Sequence, residues 1–137
     1  MTESSFPIRM VRIMYWALLV GPFVIATALW FALGGRVVIP GLSGTTGYVM
    51  YAVCAAGFAF GVIWRSRIPA RAPGESFDGF WRTNLPRAFG LYALLEGVAV
   101  LGAIVSLLSG QQYTAMAVML VYGGIMSAFS PARLAGE

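Results

Sequence analysis

Between Arg12 and Arg36 the chain carries no charged side chain. Coiled as a helix, the stretch from Ile13 to Leu33 spans the ~30 Å hydrocarbon layer of a bilayer, which needs about 20 apolar residues. Three further apolar runs follow: Gly47 to Trp64, Pro86 to Leu108 beyond its flanking Arg87, and Tyr113 to Phe129. Only the third is interrupted at depth, by Glu96.

With 59% hydrophobic and 10% charged residues in 137, the chain is far poorer in charge than a soluble domain, where about 25% is usual. Four spans consume most of this length and leave no room for a separate catalytic domain. The expectation is an all-α integral membrane four-helix bundle, a single transmembrane domain over residues 1–137. Its helices fall at about 13–33, 47–64, 86–108 and 113–129, with one substantial loop at 65–87. Gly34, Gly35, Pro40, Gly41 and Gly44 mark the first connection, and Arg65, Arg67 and Pro69 stop the second helix. Pro86 is expected in the first turn of helix 3, where its missing N–H does no harm. Gly110-Gln111-Gln112 turns the chain tightly into helix 4.

A cleaved signal peptide is the rival reading of the first run, because Arg9, Arg12, an apolar stretch and Ala26-Thr27-Ala28 follow the order of one. The run is longer than most signal cores, no polar region precedes the cleavage position, and a later segment repeats its sequence.

The formal charge is +4 and every basic residue is Arg. The arginines flank apolar runs, which is how membrane proteins deploy positive charge, so no nucleic-acid partner is expected. All except Arg36 fall before helix 1, between helices 2 and 3, or after helix 4. The positive-inside rule therefore puts both termini in the cytoplasm. Trp30, Trp64, Tyr15, Tyr48 and Tyr113 fall near span ends and are expected as interfacial anchors, and Phe77, Phe80 and Trp81 as a lip on the membrane surface. With no His and a single Cys, Cys54, the chain has neither an internal disulfide nor a Cys/His metal site, and no cofactor is expected. Cys54, in an apolar run, is a small packing residue.

A shift of 76 residues lays Trp16-Ala-Leu-Leu-Val-Gly21 over Tyr92-Ala-Leu-Leu-Glu-Gly97. Helices 2 and 4 align more weakly, Gly57 falling over Gly123. Two duplicated helical hairpins, related as parallel repeats, would produce this pattern. Small residues that let backbones meet are expected to pack the bundle: Gly57 and Gly61 in helix 2, Ala93 and Gly97 in helix 3, Gly123 and Ser127 in helix 4. Self-association uses the same kind of surface.

Glu3, Glu75, Asp78 and Glu137 lie in tails or the loop, leaving Glu96 as the one acid at membrane depth. It lies about 13 Å along a helix from Arg87, near the middle of a ~30 Å layer. No Arg occurs at that depth, so the protonated acid is the expected resting form, hydrogen-bonded to Tyr92 one turn earlier or to Tyr51, Thr27, Tyr122 or Ser127 across the bundle. Glu96, with Tyr92, is the candidate site for proton or cation binding. A purely structural acid that fixes helix packing is the competing reading.

The stretch Leu91-Tyr-Ala-Leu-Leu-Glu96-Gly-Val-Ala-Val-Leu-Gly-Ala-Ile-Val-Ser-Leu-Leu108 resembles the ion-carrying helix of the rotary ATPase proteolipid, subunit c. Ala55, Ala56, Gly57, Ala59 and Gly61 look loosely like the Gly-rich partner helix of that family. Its loop between those helices is short, unlike 65–87 here. The whole chain is similar to a class of small uncharacterised bacterial four-helix membrane proteins with an Ala-Leu-Leu-Glu-Gly core in helix 3 and an end like Ser130-Pro-Ala-Arg133. That resemblance implies a bacterial inner-membrane location and no activity. The expectation is a non-enzymatic membrane protein, partnered by the bilayer, acting as a homo-oligomer or as a subunit of a membrane complex. A proton- or sodium-coupled translocator, either a proteolipid-like rotor subunit or a small multidrug-type exporter, is the alternative. No nucleophile with a base and no phosphate-cradling loop suggests an enzyme.

Overall fold

The computed structural model describes residues 6–136, and the expected tail acids Glu3 and Glu137 lie outside them. Among the described residues the chain is helical throughout, without a strand. The helices are α1 (Phe6–Leu33), α2 (Thr45–Trp64), α3 (Phe77–Leu108), α4 (Gln112–Ala128) and a single turn, α5 (Pro131–Leu134). α1, α2 and α3 are long and apolar enough to cross a membrane. At 17 residues, α4 is about 25 Å long.

α3 is the central helix. Half of its most apolar window is buried, against 11% for α1 and 17% for α2. α1, α2 and α4 each pack on it, whereas α1 and α2 barely touch one another. The first hairpin expected from the duplication is therefore not a packed unit, because α3 lies between its two arms. The periphery is correspondingly bare: Ile13 and Trp16 are each 60% exposed, Phe31 81% and Leu120 72%. In water such a surface would drive aggregation, and in lipid it costs nothing.

Two expectations about the loop at 65–87 are corrected. α3 begins at Phe77, not at Pro86, because Ser76 caps it: the Ser76 hydroxyl accepts from the Gly79 N–H at 3.0 Å, and Asp78 sits in the first turn. A capping side chain satisfies one of the helix's orphan donors. Pro86 thus lies inside the helix, where it deprives the Arg82 carbonyl of its partner. Both residues are exposed near the arginine-rich end, where polar surroundings can replace the lost bond. The early start also turns Phe80 and Trp81 inward. They form no surface lip but are 1% and 0% exposed, in the core with Val11, Ile68 and Leu134.

α1 likewise begins at Phe6 instead of Ile13. Tyr15 is therefore well inside the helix and buried at 6% exposure, not an interfacial anchor. Tyr48 and Tyr113 are 73% and 87% exposed.

At the far end, Gly110 adopts φ +74° and closes α3 with paired bonds, Gly110 N–H to Leu107 and Gln111 N–H to Ser106. This Schellman geometry requires a left-handed residue at that point. The Leu108 carbonyl is taken by the N–H groups of Val38 and Ile39 from the first connection, at 2.9 and 3.1 Å. Successive long helices run in opposite directions, so every arginine except Arg36 gathers where α1 and α3 begin.

Candidate functional site

The face that α3 turns to α2 is fixed by two glycines. A Cβ on Gly57 would stand 2.5 Å from Val98 Cγ2, and one on Gly61 2.6 Å from Leu95 Cδ2. Both glycines of α2 therefore lie directly against side chains of α3. In a helix that rotates by about 100° per residue, holding Leu95 and Val98 against α2 swings Glu96 toward α1. There Gly21 makes room: a Cβ at Gly21 would lie 3.0 Å from Glu96 Oε1. Glu96 is half-buried, while its neighbour Gly97 is exposed, with nothing within 4 Å of where a Cβ would be. Among the described residues, therefore, no helix packs against Gly97, contrary to its expected packing role.

Beside this notch, Pro22 is fully buried within α1. Lacking an N–H, it leaves the carbonyl of Leu18 without its helical donor. The hydroxyl of Tyr122, reaching across from α4, donates to that carbonyl. Tyr122 is wholly buried and within electrostatic reach of Glu96.

Two more tyrosines serve the other end of α4. Tyr15 donates to the Met126 carbonyl at 3.0 Å and Tyr92 to the Phe129 carbonyl at 2.8 Å. Their rings meet edge to face at 5.5 Å. The last carbonyls of a helix have no internal donors, so this pair completes α4 from α1 and α3. Tyr92 is consequently committed to Phe129 and not to Glu96.

The other expected donors are equally engaged or distant. Tyr51 donates to Gln111 Oε1 at 3.1 Å and Ser127 to the Gly123 carbonyl at 2.8 Å. Thr27 is exposed on a groove between α1 and α4. Ser127 is also exposed, Gly123 meets only the Phe23 ring at 3.4 Å, and Ala93 is half-buried. Among the described residues Glu96 has neither a hydrogen bond nor an ion pair. An unpaired polar group in an apolar medium costs roughly 2–7 kcal/mol, so a partner for this carboxyl would be strongly held.

Glu96 is legible in the sequence, whereas the Pro22, Leu18 and Tyr122 arrangement is not. The available signal was a proline inside an apolar run, which always frees a carbonyl one turn earlier. Comparison with protein-family models, curated proteins and solved structures returned no match.

Proposed function

We propose that the protein is a non-enzymatic four-span membrane subunit whose Glu96 completes its hydrogen bonding on another chain, in a homo-oligomer or a larger membrane complex. The observation that carries this reading is the carboxyl itself, seated against Gly21, half-exposed, and without a partner among the described residues. Beside it α3 offers an open face at Gly97 that a second helix could approach closely. α4 serves as the fourth span, extended by its cap at Phe129. The arginine-rich end lies in the cytoplasm by the positive-inside rule, with both termini on that side.

Native mass spectrometry from mild detergent tests this reading. Wild-type protein should be oligomeric, Glu96→Gln should stay so because it keeps hydrogen-bonding capacity, and Glu96→Leu should dissociate. A wild-type monomer in both detergent and nanodiscs would refute it.

A proton- or sodium-coupled translocator is the second reading, favoured by the partial exposure of the acid on the flank of the bundle. It expects Glu96→Gln to leave the assembly intact while abolishing ion coupling, whereas the first reading expects that variant to be nearly silent. Carbodiimide labelling of Glu96 suppressed by sodium would support it.

A further inference from the structure

Outside the Tyr15 and Tyr122 hydrogen bonds that cross it, the seam between α1 and α4 forms a line of recesses on the surface. At the arginine-rich end it begins in a recess of about 350 Å³ lined by Arg12, Tyr15, Trp16, Phe77 and the segment from Ser130 to Ala132. One helical turn deeper it continues as an apolar groove along Leu19, Val20 and Phe23 on one wall and Met119, Gly123, Gly124 and Ser127 on the other. One end carries Arg12 and Ser130 on otherwise apolar walls, and the rest is almost wholly apolar. From Arg12 to Phe23 the seam runs about 16 Å along α1, the depth of one leaflet, half of a ~30 Å hydrocarbon layer.

We propose that this seam binds one anionic phospholipid of the leaflet on the arginine side, its phosphate at Arg12 and Ser130 and one acyl chain laid over Gly123 and Gly124. Arg12 makes no ion pair among the described residues, and Arg133 lies within electrostatic reach of Tyr15 in the recess wall. No described acid lines the recess. The missing side chain of Gly124 leaves open space, with nothing within 4 Å of a Cβ there. Charge also discriminates against a second copy seated in this recess, as distinct from one docked at the Gly97 face. Copies inserted with the same topology would bring their own arginine-rich ends to this place and add positive charge to positive. A lipid phosphate removes that repulsion, and each basic side chain near an anionic surface contributes about 1 kcal/mol, a preference of about fivefold.

The test uses the full chain in nanodiscs of phosphatidylglycerol and phosphatidylcholine in equal parts, released into mild detergent for native mass spectrometry. Wild-type protein should retain one phosphatidylglycerol, at least about fivefold over phosphatidylcholine. Arg12→Gln should abolish that preference without changing helical content. Gly124→Leu should lose both lipids, and its open surroundings keep the fold intact. Equal retention of the two lipids by wild-type protein, or an unchanged pattern in either variant, would overturn the proposal. So would disulfide-linked dimers of Gly124→Cys, which would put a second copy in the seam. Carbonate extraction of the protein from vesicles, done first, would instead refute membrane insertion itself.

Discussion

Glu96 and Gly21 share one space: the carboxyl oxygen of the first stands 3.0 Å from where the second would carry a side chain. The glycine is thus a receptacle for the acid, and the two positions are energetically linked. Gly21→Ala should be tolerated, since a flexible carboxyl can give by a few tenths of an ångström. Gly21→Leu should destabilise the bundle by about 1–3 kcal/mol through overpacking. Adding Glu96→Ala should recover most of that loss. Reversible denaturation in mixed micelles measures the coupling, and independent, additive effects would contradict the shared notch.

Tyr122 and Pro22 make a second linked pair through the Leu18 carbonyl. Tyr122→Phe should cost about 1 kcal/mol or somewhat more, because it strands a buried acceptor. In a Pro22→Ala background the helix supplies its own donor, and the same substitution should become nearly silent. An equal cost in both backgrounds would show that the hydroxyl serves something else.

Trp81 is fully buried, and its indole N–H has no hydrogen-bond partner among the described residues. Trp81→Phe removes that orphan donor at the expense of some volume and should change the thermal midpoint little. Trp81→Ala leaves a cavity and should cost about 3–5 kcal/mol. A phenylalanine variant as damaged as the alanine one would point to an unrecognised partner for the indole.

Glycines in this chain divide into those that face inward and those that face out. Gly57→Leu and Gly61→Leu should detach α2 from α3, which increased protease access to the 65–76 connection would reveal. Gly97→Leu should leave the monomer fold intact and act only on association. Disruption of the fold by Gly97→Leu would mean that its face is occupied within the chain.

Much of the architecture was legible because hydropathy reports span length directly. The apolar runs returned α1 to α4, the Gly110 turn was read in place, and Gly57 and Gly61 were assigned to packing. Three features escaped for physical reasons. Pro86 hid the true start of α3, although Ser76 and Asp78 spell a helix cap just before Phe77. Tyr15 was read as a surface anchor because α1 extends beyond its purely apolar part. The central position of α3 had no periodic signature, since in lipid both the inner and outer faces of a helix are apolar. For Glu96 the depth was readable, but its neighbours depend on helix rotation, which only packing against Gly57, Gly61 and Gly21 sets.

The scarcity of contact between α1 and α2 has a consequence for biogenesis. On the proposed membrane reading, a chain inserted from its N-terminus delivers these two rods to the bilayer first, when neither has anything to dock on. They must wait as independent passengers in lipid until α3 arrives and gives both a shared surface. The order of synthesis and the order of assembly are therefore separated, and the decisive event in making this protein is the entry of its third helix.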